Sequence, residues 1–253
     1  MATKTRLVAA LALAACLVAC AGADRTGTAT GGTTMTLSIA GRDYEVEPLF
    51  RDDFADMDDW IVESTGQVKV AGGELLVDCR GKVGTVWCRR RFEGPTIVEY
   101  DVVSVAGADN INFFFYADNP PAGLIETTAE RTGAYKEYHV FPNYIVTYLT
   151  EGKDGGGKQW RIRFRKDPGF HLLAERFVEG PTEQGVKKHV TYVFESDGTM
   201  TLYVDGELQL SFTDKDAPYR SGYHGFRTWN TQLRHRNFRV YAIRGEVGAG
   251  AGP

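Results

Sequence analysis

Three arginines, Arg161, Arg163 and Arg165, alternate strictly with Trp160, Ile162 and Phe164. Successive side chains of an extended strand point to opposite faces. The spacing therefore predicts a strand with a ladder of cations on one face and an apolar stripe on the other. Lys166-Asp167-Pro168-Gly169 turns the chain, and Phe170 and His171 open another apolar run. Similar alternating or wholly apolar stretches fall at 67–70, 74–79, 85–92, 96–105, 111–116, 138–141, 144–149, 160–165, 189–195, 199–204, 208–213, 222–229 and 236–243. Gly, Asp and Pro punctuate the gaps, as at Ser196-Asp197-Gly198 and Asp205-Gly206. No long segment carries helical periodicity. Many short strands at regular spacing predict an all-β fold, an antiparallel β-sandwich of the jelly-roll kind.

The ends of the chain have a different composition. Residues 1–20 read as a secretion signal: Lys4 and Arg6 supply a charged start, an apolar stretch follows, and Leu17-Val18-Ala19-Cys20 closes it. That stretch is too short for a permanent membrane span. Its last four residues resemble a bacterial lipoprotein cleavage box, which implies that Cys20 becomes the lipid-modified first residue; Leu13-Ala14-Ala15-Cys16 is a second box with a shorter apolar core. Residues 21–34, rich in Gly, Thr and Ala, read as a flexible tether. Ala21 is not acidic, so the expectation is an envelope protein lipid-anchored at the outer membrane. Residues 35–245 suit one domain, expected to be monomeric, and 246–253 form a tail of mostly small residues.

The formal charge is −4 and becomes −6 once Lys4 and Arg6 leave with the signal. That balance argues against nucleic acid as a partner and restricts membrane contact to the lipid anchor, so any anion site must be local. Of the four cysteines, Cys79 and Cys88 remain in the mature chain. They flank a segment with Gly81 and Gly84 that reads as a hairpin turn, and a disulfide across it is expected in an oxidising compartment. Neither cysteine has metal-binding spacing, and no cofactor is expected. The acidic run Asp52, Asp53, Asp56, Asp58 and Asp59 is the one candidate for a structural calcium, but it lacks a dedicated calcium-loop pattern.

Residues 117–137 carry no strand pattern and include Asn119-Pro120-Pro121-Ala122-Gly123. A loop this long inside a compact domain tends to be functional. The segment Arg131-Thr132-Gly133-Ala134-Tyr135-Lys136-Glu137-Tyr138-His139 concentrates hydrogen-bonding and titratable groups at its end. Together with Arg165-Lys166-Asp167-Pro168-Gly169-Phe170-His171-Leu172 and Gly225-Phe226-Arg227, it resembles the YesU-like family of bacterial concanavalin A-like lectin/glucanase sandwich proteins. Phe50-Arg51-Asp52-Asp53-Phe54 with Trp60, and Arg236-Asn237-Phe238, are similar too, so the resemblance covers most of the mature domain. It implies a concanavalin A-like sandwich and a role in saccharification of pectic polysaccharide. It transfers no catalytic residue.

The residues themselves narrow the chemistry. Glu99-Tyr100-Asp101 is followed by Val102, Val103 and Ser104, so the last acid of a glucanase-type strand is missing and the pair reads as outer-face residues. A lyase acting on a uronic acid needs other groups: a cation or amide to offset the carboxylate, and a Tyr or His to move the proton. Tyr138, His139 and His171 are the candidates for proton transfer; Arg161, Arg163, Arg165, Asn112, Tyr135, Tyr223, His224, Arg227 and Trp229 are the candidates for binding substrate. The competing readings are structural. The ladder would be a solvated face balanced by cross-strand acids, and His171 or Trp229 would be core residues. The expected partner is an acidic polysaccharide or oligosaccharide, cleaved by a lyase-like enzyme or captured by a non-catalytic binding lipoprotein.

The lipidation reading has a direct consequence. Cys20→Ala is expected to release the protein from membranes or block its processing, as read by membrane fractionation; unchanged fractionation and processing would refute it.

Overall fold

The computed structural model describes residues 33–152, 159–181 and 183–247. The expected signal peptide with Cys20, the tether as far as residue 32, and the chain beyond residue 247 lie outside the described residues.

Sixteen strands follow one another among the described residues: β1 (Met35–Ile39), β2 (Arg42–Asp52), β3 (Trp60–Ser64), β4 (Gln67–Ala71), β5 (Glu74–Asp78), β6 (Val83–Glu93), β7 (Thr96–Gly107), β8 (Ile111–Ala117), β9 (Asn143–Gly152), β10 (Gln159–Asp167), β11 (His171–Val178), β12 (Lys187–Phe194), β13 (Thr199–Val204), β14 (Glu207–Thr213), β15 (Ser221–Trp229) and β16 (Thr231–Val247). One sheet has nine strands: β1-β2-β16-β7-β12-β13-β14 lie side by side, and β5 joins through β16 with β4 beside it. The other has seven, in the order β11-β10-β9-β8-β15-β6-β3. The antiparallel β-sandwich read from the sequence is the fold.

Between the sheets lies an aromatic core. Phe226 meets Tyr100 edge-on at 5.0 Å and Phe238 at 5.4 Å, and Phe113 lies 5.2 Å from it. Each such ring buries enough apolar surface to contribute about 4 kcal/mol gross. His224 belongs to this layer and not to a substrate face, which corrects its assignment as a binding residue. It is fully buried, stacked on Phe92 at 4.7 Å, and its Nδ1 accepts the Tyr116 amide at 3.4 Å. Burial pushes its pKa down to about 3, so it stays neutral.

Two further expectations fail for topological reasons. β5 pairs with β4 and β16, whereas β6 pairs with β3 and β15, so the segment between Cys79 and Cys88 crosses from one sheet to the other instead of closing a hairpin. Both cysteines are free and buried, and burial pushes the Cys88 thiol up to about 12. Residues 138–141 are not a strand: Tyr138 ends a 3₁₀ turn (Tyr135–Tyr138). Two acids of the 52–59 run have protein partners. Asp52 accepts the Trp60 indole N–H at 2.5 Å and the Phe54 amide at 2.6 Å, and Asp53 pairs with Arg51 and Arg239. Among the described residues no three His, Cys, Asp or Glu side chains gather into a metal-binding group.

Every residue of β8 is buried, because both faces of this strand are covered. Ile111, Phe113 and Phe115 face the inter-sheet core, while Phe114 joins Trp87, Ile145, Leu124, Tyr138 and Phe141 in a second apolar cluster on the outer face. The loop of residues 118–142 supplies the last three of those and lies across the sheet. Gly225 makes room for the cluster: a Cβ there would lie 2.5 Å from the Trp87 ring.

A buried carboxylate fastens the loop. Glu63 of β3 accepts Arg131 Nη2 at 2.7 Å and Nε at 3.0 Å on one oxygen, and the Tyr138 hydroxyl at 2.6 Å on the other. The Glu63 side chain is fully excluded from solvent and that of Arg131 is 7% exposed. Glu137 closes the preceding turn by accepting the amides of Thr132, Gly133 and Ala134. Gly133, at φ +89°, comes so near β3 that a Cβ would sit 2.3 Å from the Glu63 carbonyl oxygen.

On the outer face of the nine-stranded sheet, Glu99 and Asp101 do occupy the predicted outward positions, where they clamp His189. Its Nε2 lies 3.6 Å from Glu99, and its Nδ1 lies 2.9 Å from Asp101. These partners, Glu99 first, push the imidazole up to about 9.

Breaking either charge cluster should show in unfolding experiments. Glu63→Ala leaves the Arg131 charge buried and unpaired and is expected to cost about 3–5 kcal/mol in urea unfolding; Tyr138→Phe, which removes one hydrogen bond, should cost about 1–2 kcal/mol. A Glu63→Ala cost below that of Tyr138→Phe would contradict the anchoring role. His189 is raised above its unfolded value of 6.5, so its contribution is complete below that pH and disappears as pH rises through 9. His189→Gln should therefore cost about 1 kcal/mol near pH 6, after allowing for solvent screening of the half-exposed ring, and almost nothing near pH 10. A pH-independent difference would refute the clamp.

Candidate functional site

Cross-strand register arranges the outer face of the seven-stranded sheet in rows that run across the strands. One row is Arg165, Ile145, Phe114, Gly225, Trp87 and Ile61, from β10 through to β3. The apolar members of this row form the cluster beneath the loop. The next row is polar along its whole length: Glu175, Arg163, Thr147, Asn112, Arg227, Thr85 and Glu63, one residue from each of the seven strands. Beyond it Phe177 pairs with Arg161 on β11 and β10, and Trp229 follows Arg227 by two positions on β15. These two aromatic residues are 52% and 48% exposed. The loop therefore walls one side of a polar shelf, and exposed aromatic residues border the other.

The predicted ladder is real and faces away from the core. Ile162 and Phe164 are buried between the sheets, as the alternation requires, and the three arginines are half-buried on the outer side. Arg161 approaches Glu175 at 3.4 Å and the Phe177 ring at 5.9 Å. Arg163 has a buried Nε without a hydrogen-bond partner, and its guanidinium sits between those of Arg161 and Arg165. Burial, followed by Arg165, lowers its affinity for its proton. Arg165 donates to the Phe170 carbonyl at 2.8 Å and lies 3.9 Å over the Phe170 ring.

Phe170 holds a left-handed backbone conformation, φ +59°, in the turn after β10. Non-glycine residues rarely adopt this conformation, and such strain concentrates at working sites. Its ring is stacked between Arg165 and His139, the latter at 4.0 Å, and Tyr135 meets both Phe170 (5.1 Å) and His139 (4.9 Å) edge-on. Tyr135 also covers Arg227, with 4.4 Å between the guanidinium carbon and the ring. Burial lowers the His139 pKa, aided by Arg165 and Arg227, so the ring is neutral at neutral pH. Burial raises Tyr135, while Arg227 and Arg163 oppose the rise. An acid and a base whose environments push their pKa values apart thus stand side by side.

The structure sorts the other nominated residues differently. Asn112 lies in the polar row, buried, and donates to Asn110 at 2.6 Å. Tyr138, nominated for proton transfer, is fully buried and bonded to Glu63, so it anchors the loop and does not face the shelf. Burial and the Glu63 charge push its pKa far up. His171 is exposed on the edge strand β11, opposite Lys166 in register and hence out of phase with the ladder. It is neither a core histidine nor a member of the site. Tyr223 lies past the loop-covered row, beside Arg91 at 5.9 Å. Glu63, Thr85, Thr147, Phe170, Glu175 and Phe177 were missed. Glu175 and Phe177 alternate on β11 as the ladder does on β10, which was the available signal.

Several solved structures share this architecture. A protein of unknown function with a galectin-like fold from Bacillus subtilis superposes with a TM-score of 0.65 at 20% identity, covering 84% of this chain and 100% of that one. An endo-β-1,3-glucanase from Pyrococcus furiosus gives 0.55 at 12% identity, covering 82% and 98%. A carbohydrate-binding module, CBM66, from Bacillus subtilis gives 0.50 at 15% identity, covering 73% and 96%. At such identities the likeness is one of fold, the jelly-roll sandwich of lectins and glucanases. No curated protein matches the chain by sequence. Residues 80–238, which hold the whole arginine face from β6 to β15, match the model of a domain of unknown function, DUF6250, and the chain belongs to that family.

Proposed function

We propose that this protein takes an acidic, uronic-acid-containing glycan onto the polar shelf of its seven-stranded sheet. The observation that carries the reading is Arg163: a half-buried guanidinium with an unpartnered Nε, held between two like charges. A cation so placed is unfavourable until an anion arrives, and guanidinium groups take carboxylates bidentately. Four arginines, 161, 163, 165 and 227, surround the shelf, with Glu175 as the acid in its polar row besides the loop-bound Glu63. Arg163 on β10 and the exposed Trp229 on β15 are three strands apart, about 14 Å at the usual strand spacing, a distance suited to an oligosaccharide rather than one sugar. Trp229 and Phe177 present faces for pyranose rings. The carbohydrate-binding and glucan-cleaving proteins that share the fold support a sugar ligand, and the resemblance to the YesU-like family favours a pectic one. With Cys20 as lipid anchor, capture would take place at the cell envelope.

A second reading, lyase-type cleavage, is favoured by the Tyr135 and His139 pair beside the arginines. Elimination from a uronate requires the carboxylate to be offset and a proton to be moved, and both kinds of group meet here.

Arg163→Ala is expected to weaken oligogalacturonate binding by about 2–5 kcal/mol in calorimetry, and to leave neutral oligosaccharides of equal length unaffected. Equal loss on neutral and acidic chains would remove the anionic-ligand reading. Release of unsaturated ends from polygalacturonate, followed by ultraviolet absorbance, distinguishes cleavage from capture.

A further inference from the structure

Arg227 is 6% exposed, its Nη1 reaches Asn110 Oδ1 at 3.3 Å, and its Nε has no partner. The groups that act on its charge are Tyr135, Tyr138 and Cys79, with no carboxylate among them. A buried cation without a counter-charge is costly, and it is retained where a negative charge develops beside it. The side chain lying on this guanidinium is Tyr135, 4.4 Å away. Every element packed against Tyr135 presents either a cation or a neutral group. Arg227 comes from β15, Arg163 and Arg165 from β10, Thr147 from β9, Phe170 from the turn after β10, and His139 from the same loop. Of the two acids in the row, Glu175 lies beyond Arg163 and pairs with Arg161, and Glu63 is taken by Arg131 and the Tyr138 hydroxyl. Three residues along, Tyr138 has the opposite surroundings, its hydroxyl bonded to the Glu63 carboxylate.

We propose that Arg227 is a positioning residue that acts through Tyr135: it is the built-in counter-cation that holds the phenol ring and eases loss of its proton, so that Tyr135, and not Tyr138, is the ionising tyrosine of this site. The proposal rests on the glycan reading only for what Tyr135 would exchange a proton with. It assigns Arg227, which the sequence suggested as a direct carboxylate ligand, to a place beneath the reacting group.

The test requires no glycan. The full chain is labelled with ¹³C at tyrosine Cζ, the Tyr135 resonance is assigned by its loss in Tyr135→Phe, and the shift is followed by NMR across alkaline pH. In the unmodified chain, Tyr135 should ionise well before Tyr138. Arg227→Met should move the Tyr135 transition upward by about 1–2 pH units and leave the Tyr138 transition in place. If Arg227→Met does not fold, Arg163→Met removes a second cation facing the same ring and should move the transition in the same direction by a smaller amount. An unmoved Tyr135 transition in whichever variant folds, or Tyr138 ionising first in the unmodified chain, overturns the proposal. Failure here would leave acidic-glycan binding to be judged by the Arg163 calorimetry, and failure there would leave the tyrosine assignment intact.

Discussion

The carboxylate of Glu63 is the hinge of the outer face. It lies beneath the loop, with Arg131 on one oxygen and Tyr138 on the other, and none of the three could be buried there alone. Because they are buried together, the loop stays on the sheet and Trp87, Phe114 and Ile145 remain dry. The same anchoring sets Tyr135 on Arg227. A sandwich normally leaves the outer face of a sheet in water. Here half of that face is a second apolar layer, and the polar row begins where the layer stops.

The two sheets treat surface charge differently. On the nine-stranded sheet the charged groups pair with one another: His189 with Glu99 and Asp101, Arg236 with Glu74, Arg239 with Asp53. Those are the ion pairs of a solvated face, and each contributes little. On the seven-stranded sheet Arg163 and Arg227 have no carboxylate bonded to them among the described residues. The chain as a whole is acidic, so this is a local excess of positive charge created by the fold.

Sharing a fold with a glucanase does not transfer its chemistry. Retaining hydrolysis requires two carboxyl groups about 5–5.5 Å apart across the scissile bond. Glu63 is committed to the loop and Glu175 to Arg161, while Glu99 and Asp101 project from the other sheet. The acidic ligand proposed for the cationic shelf, with its tyrosine and neutral histidine, would bring its own carboxylate.

Much of this was legible in the sequence, because strand alternation is local. Trp160 to Arg165 fixed which face of β10 would be cationic, and the long break after β8 marked a functional loop. Local pattern could not say which strands become neighbours. Cys79 and Cys88 looked like hairpin partners, and the chain between them instead changes sheets. Tyr138 and His171 have the right chemistry, but a 3₁₀ turn buries the first and strand phase turns the second away. Glu63, Thr147 and Arg227 lie far apart in the chain and share one row only through antiparallel register across five strands. Residue type and alternation determined what each strand could offer. Register and loop burial, which depend on contacts between residues distant in sequence, decided which of those groups meet.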